Sequence, residues 1–249
     1  MAEPSSPGQG LRLAVYLAHS GLTSRRKAEE LIRSGRVRAN GRIVKLPGFR
    51  VGEEVITCDG RRIYPIRRRV YLALHKPPGY LCALSDERGR PLAGELLKKA
   101  YGGRLYPVGR LDFLSSGLIF YTNDGDFTRR VSHPSGEVEK EYLVETKGAV
   151  PEDFLRRCLG GLFVEGVFYK IEKYRYNKPD KVYLTLKEGK NREIRRLFAS
   201  RRIAVKRLHR VRIGEINLQG LPPGGYRVLE PPEVAGLLGG GRPFHREEP

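Results

Sequence analysis

Tryptophan is absent from this sequence, methionine occurs once, and only three of its 249 residues are cysteine. Cys58, Cys82 and Cys158 lie far apart with no CxxC pair. That argues against a disulfide framework or a thiolate metal site and leaves small buried or half-buried thiols. The five histidines (His19, His75, His133, His209 and His245) have no ligand spacing either, so no metal is expected. No run of about 18 apolar residues occurs, and the opening MAEPSSPGQG is polar, without the apolar stretch of a signal peptide. Nor is there a clear basic amphipathic helix showing large apolar side chains, as a membrane-surface protein would need. A cytoplasmic protein is expected. Acid is scarce too: 28 Asp and Glu stand against 47 Lys and Arg, a formal net charge of +19. Self-repulsion of that size is tolerable when a polyanion sits nearby, and nucleic acid is the leading one.

What is present suffices for a core. A hydrophobic content of 39% over this length allows a small module followed by a larger domain. Leu13, Leu17 and Ala18 set a helical pattern stopped at Gly21. Thr23 or Ser24 offers an N-cap for a second helix, striped by Ala28, Leu31 and Ile32 and ended by Gly35. Asn40-Gly41 between alternating residues predicts a hairpin. Arg25, Arg26, Lys27 and Arg33 on the helix, with Arg36, Arg38 and Arg42 at the hairpin, form a candidate phosphate-tracking surface. A merely solvated basic helix is the plainer reading. Over residues 9–60, LAVYLAHSGLTSRRKAEELIRSGRVRANGRIV followed by VGEEVITCDG resembles the alpha-L RNA-binding motif, with Ala39 where that family usually has valine.

Residues 61–69 read as a basic linker, and 233–249, with three consecutive glycines, as a flexible tail. Between them, residues 70–232 alternate short apolar runs with turn signals: Val70–Leu74, Leu118–Tyr121, Tyr142–Val144, Val167–Tyr169 and Lys181–Leu186. Helical stretches are fewer, at 126–131, 151–159 and 192–200. The pattern predicts an α+β class with a mainly antiparallel mixed sheet.

Three clusters carry chemistry. Gly109-Arg110-Leu111-Asp112 places a carboxylate beside a cation in a loop; the arginine favours the ionised acid and can hold a phosphate. Alone, Asp112 reads as a turn residue. In Lys187–Phe198, Asn191 can cap a helix packed through Ile194, Leu197 and Phe198, making an anion site with Lys190, Arg192, Arg195 and Arg196. Tyr142, on a strand, either packs or stacks on a base.

In this order, KPPGYL, YPVGRLD…GLIFYTNDGDF, EKEYLV and KEGKNREIRRLF resemble the bacterial small- and large-subunit ribosomal RNA pseudouridine synthases of the RsuA/RluB/E/F type, over about residues 9–230. The resemblance implies that Asp112 is the catalytic aspartate, that Tyr142 stacks on the target base, and that Arg195 pairs with Asp112. It further implies that Arg110 fills the space left by the flipped nucleotide. Where the family commonly has an acidic residue and then threonine, this chain has Leu114 and Ser115, which bears on how the loop is hydrogen-bonded.

Moving uracil from an N1 to a C5 link needs no redox step, metal or nucleotide cofactor. An ionised carboxylate can serve as nucleophile or base, and the uridine must leave its stack. Glu188–Phe198 looks more like the large-subunit than the small-subunit type, which implies a uridine in a 23S stem-loop, presented to a monomer in a pre-ribosomal particle. The alternatives are a 16S target, or a non-catalytic ribosomal-RNA-binding assembly factor using the same basic surfaces. An aminoacyl-tRNA synthetase with the same N-terminal module would need nucleotide-binding motifs that find no convincing match here.

Overall fold

The computed structural model describes residues 10–64 and 68–239. The chain divides into two compact units, one ending at Arg69 and the other beginning at Val70. In the first, the short strand β1 (Leu11–Arg12) leads into α1 (Leu13–His19) and α2 (Arg25–Arg33). Of the two cap candidates it is Ser24 that closes α2, its hydroxyl accepting from Lys27 N at 3.2 Å. Strands β2 (Val37–Ala39) and β3 (Arg42–Ile43) form the expected hairpin, both Asn40 and Gly41 taking the left-handed conformation that such a turn requires. Then β4 (Arg50–Val51) pairs with β1, and β5 (Ile56–Cys58) pairs with both β2 and β6 (Arg61–Arg62). The linker expected over 61–69 therefore starts inside a sheet. Leu13, Leu17, Ala28, Ile32 and Ile56 make this unit's own core.

The second unit is a mixed sheet. Its strands are β7 (Tyr71–Lys76), β8 (Tyr106–Val108), β9 (Ser116–Thr122), β10 (Lys140–Thr146), β13 (Lys173–Lys178), β14 (Lys181–Leu186), β15 (Val205–Ile213), β16 (Ile216–Asn217) and β17 (Tyr226–Val228). A separate ribbon comprises β11 (Leu162–Val164) and β12 (Val167–Tyr169). The sheet runs β13-β14-β10-β15-β9-β7-β17, with β8 on β9 and β16 on β15. All pairings are antiparallel except β9 with β15. Strand β9 is buried along its whole length, so its apolar run has no alternation. Ile119 and Tyr121 enter one core; Leu118 and Phe120 enter the other, on the opposite face.

One edge of β9 belongs to β7. The other is split: Ser116 and Gly117 pair with β15, whereas Phe120–Thr122 pair with β8. The strands part between those points, and the loop joining β8 to β9 carries Asp112 there. Helix α3 (Gly125–Ser132) starts at Asp124, whose carboxylate accepts from the amides of Asp126 and Phe127 and from the Tyr71 hydroxyl. The TNDG sequence is thus a helix cap. Helices α4 (Glu152–Gly160) and α5 (Glu193–Ala199) follow.

Two expectations need correction. Asn191 does not cap α5: Arg192 occupies that position in a left-handed conformation, and Asn191 Oδ1 accepts from Arg196 Nη2 at 3.4 Å. No side chain caps the first turn; Glu193 instead accepts from Lys190 N, ahead of the helix, at 2.9 Å. The tail expected from residue 233 is partly helix α6 (Pro231–Leu237), with a Glu230/Glu233 capping box and with Val234 and Leu237 buried. Two apolar side chains on one face were enough to dock it. The rest of the expected tail, 240–249, and residues 1–9 lie outside the described residues. Among the described residues no helix is long and apolar enough to cross a membrane.

Candidate active site

The split in β9 opens a cleft lined by Arg110 and Asp112 from the loop, Lys140 and Tyr142 from β10, Arg210 from β15, and Lys190, Arg192 and Glu193 leading into α5. Asp112 is brought within ion-pair reach of Arg195, Nε to Oδ2 3.8 Å. The carboxylate side chain is one-third exposed and Arg195 only 16%, so the acid is presented while its counter-charge is shielded. Burial lowers the Arg195 pKa, and Asp112 beside it pushes back toward the charged form.

The loop is held by its backbone. Lys76, the last residue of β7, is fully buried and donates to the carbonyls of Ser115 (2.7 Å), Pro77 (3.0 Å) and Phe113 (3.4 Å). Burial pulls its pKa down to about 8, opposed by Cys82 and Asp112. Gly79 N donates to Phe113 O at 2.8 Å and Ser115 N to Asp112 O at 3.0 Å. These bonds are made by the backbone of the loop; Leu114 is two-thirds exposed, and Ser115 is buried with its Oγ meeting no partner among the described residues.

Tyr142 lies opposite Arg210 at a bulge between β10 and β15. Its ring lines the cleft and its hydroxyl accepts from Arg210 Nη1 at 3.3 Å. Arg210, 3% exposed, also donates through Nε to Leu118 O at 2.6 Å. Lys140 Nζ donates to the carbonyls of Val138 and Lys187, and burial lowers its pKa to about 8. Glu193 is buried with its pKa raised by desolvation. Beneath the loop, Ser116 Oγ and His209 Nδ1 are 2.8 Å apart, with the His75 ring 5.2 Å from that of His209.

Of the residues named from sequence, Arg110, Asp112, Tyr142, Lys190 and Arg192 line the cleft. Arg196 turns instead to Tyr169 and Asn191, its Nη1 3.5 Å from the Tyr169 hydroxyl. Lys190 is engaged at the cleft wall, donating to Phe168 O at 2.8 Å and pairing with Glu188. In the first unit, Arg25, Arg26 and Lys27 are exposed and, among the described residues, make no ion pair. Arg36 is forked onto Asp59, Arg38 donates to Gly41 O, and Arg33 approaches Glu29. Lys76, Lys140 and Arg210 escaped the sequence reading. Strand β15 buries Leu208, His209 and Arg210 in succession, so no alternation separates Arg210 from its exposed arginine neighbours. The three cysteines are buried, as expected.

A basic helix–hairpin unit, followed by a mixed sheet whose split carries an ionisable acid among guanidinium groups, defines an enzyme built to act on a polyanion. Residues 70–200 match the RNA pseudouridylate synthase family and residues 11–56 match the S4 domain. An RNA pseudouridine synthase of Borreliella burgdorferi is 42% identical over 228 residues, covering 88% of this chain and 89% of its own. Ribosomal large subunit pseudouridine synthase B of Bacillus subtilis is 38% identical over 233 residues, covering 91% and 95%. A crystal structure of a pseudouridylate synthase superposes with a TM-score of 0.68 at 31% identity, over 92% of this chain and all of the other. The chain belongs to the RNA pseudouridine synthase family, with an S4 domain ahead of the synthase domain.

Proposed function

We propose that the protein isomerises one uridine of 23S ribosomal RNA to pseudouridine, with Asp112 as the catalytic group. The observation that carries this is the ion pair of a part-exposed Asp112 with a shielded Arg195, beside the Tyr142 ring in one cleft. Such a carboxylate is reachable with a cation held beside it, as a nucleophile toward the sugar or base, or a base at C2′, requires. Tyr142 stacks on the flipped uracil, Arg110 occupies the gap in the RNA, and Arg192 and Lys190 hold flanking phosphates. The protein acts as a monomer on a pre-ribosomal particle, and Arg25, Arg26 and Lys27 supply further phosphate contacts.

The large-subunit target is supported by Asn191-Arg192 ahead of the paired arginines and by the names of relatives such as the Bacillus subtilis protein. The test is tritium release from 23S and 16S transcripts carrying uridine labelled at C5, since rejoining at that carbon expels its hydrogen. Release from 23S alone is expected. Release from 16S alone overturns the target, and release from neither overturns the activity.

A further inference from the structure

The β11–β12 ribbon lies outside the main sheet and has two unlike faces. Leu162 and Tyr169, paired across it, turn into the core; Phe163 and Phe168, the next pair, turn out. Phe163 is 76% exposed and Phe168 39%, with ring centroids 5.2 Å apart. Two outward rings side by side form an exposed apolar patch of the kind that marks an interaction site, unlike single scattered apolar residues. The ribbon is also stiff. Glu165 and Gly166 form its tight turn with both residues left-handed. At its base, a Cβ on Gly161 would fall 2.1 Å from the Phe168 ring, so only glycine leaves that ring its place.

The ribbon is fastened to the cleft wall. Lys190, which lines the cleft, donates to Phe168 O and holds its ammonium 6.0 Å from the Phe168 ring centre, and Arg196 reaches Tyr169. Exposed Lys170 and Arg192 border the same region in sequence. Aromatic faces rimmed by cations, on a chain of net charge +19, complement an unpaired nucleobase flanked by phosphates better than an apolar protein surface.

We propose that Phe163 and Phe168 form a stacking platform for an unpaired base of the substrate RNA near the nucleotide drawn into the cleft. The inference rests on the proposed function, in which the substrate is RNA. The platform needs no particular base, because every base has a π-face, so it supplies affinity and register rather than sequence choice.

The absence of tryptophan makes the test direct, since Phe163→Trp introduces a lone indole that can be excited at wavelengths the tyrosines do not absorb. Saturating unmodified 23S transcript should quench its emission and shield it from acrylamide. Filter binding to the same transcript should show Phe163→Tyr near wild type. Phe163→Ala and Phe163→Leu should bind about tenfold more weakly, the loss expected for one stacked base. Emission unchanged by RNA, or Leu binding as tightly as Phe, overturns the platform. So does self-association of the wild type, seen by sedimentation, that Phe163→Ala abolishes. Quenching without tritium release from wild type would keep the platform and overturn the proposed activity; tritium release without quenching would do the reverse.

Discussion

Asp112 presents the sharpest test among single residues. Asp112→Asn keeps the side chain's shape but can act neither as nucleophile nor as base, while RNA phosphates are met by the arginines. Turnover should vanish with RNA affinity roughly unchanged, checked by multiple-turnover tritium release and filter binding. At Tyr142 the hydroxyl and the ring can be separated. Tyr142→Phe leaves Arg210 Nη1 without its acceptor, which should cost stability about 1 kcal/mol in denaturant melts but keep the single-turnover rate. Tyr142→Ala should lose about 1–3 kcal/mol of base positioning, read as a slower single turnover. His209 sets a pH dependence. Burial, with Arg207 and His75 adding to it, lowers its pKa to about 4, below the ordinary value near 6.5. The unfolded chain therefore takes up a proton as pH falls through about 6.5 while the folded chain does not. Stability present at pH 7 should drop by about 2 kcal/mol at pH 5. Urea melts of wild type and His209→Gln at both pH values should differ in slope; equal slopes would assign the dependence elsewhere.

The parallel pairing of β9 with β15 is the element on which the cleft depends. Gly117 stands at that contact with φ +113°, and a Cβ there would lie 2.2 Å from Arg210 O. Gly117→Ala must therefore push β15 away, shifting Arg210 and Tyr142 with it. The expected loss is at least ~2 kcal/mol in thermal or urea unfolding, with activity falling further than stability alone explains. A variant as stable as wild type would mean that the strands part without cost. Helices α3, α4 and α5 were readable because each has a local apolar stripe, whereas α6, short and followed by three glycines, read as tail. The failed cap at Asn191 has a local cause too: Glu193 already serves the Lys190 amide, and Arg192 takes the left-handed bend. Strand β9 was legible as a strand from its apolar run, but its split edge was not, because nothing in Ser116–Thr122 says which neighbour each end will have.

For the whole molecule, the two-unit plan makes the S4 domain separable in experiment. Deleting residues 1–69 removes Arg25, Arg26 and Lys27 without touching any cleft residue. RNA binding should weaken, and the slope of log affinity against log salt should become shallower by about 0.7–0.9 for each phosphate that the domain no longer neutralises. An unchanged slope would mean that the domain does not touch the RNA.

Composition and local pattern determined the basic character, the two-part plan, most helices and strands, and the short stretches around Asp112, Tyr142 and Arg195. Each of those depends on residues close together in the chain: an Asn-Gly turn, a capped apolar stripe, a charged loop. Tertiary structure alone decided which cations matter. Lys76 grips the Asp112 loop from 37 and 39 positions away in sequence, Arg210 reaches Tyr142 across a bulged strand pair, and Arg196 turns from the cleft toward Tyr169. In a chain with 47 cationic side chains, nothing local distinguishes a buried one from its solvated neighbours. Burial follows from how the strands pair, and that pairing is set by the packing of two cores on opposite faces of β9.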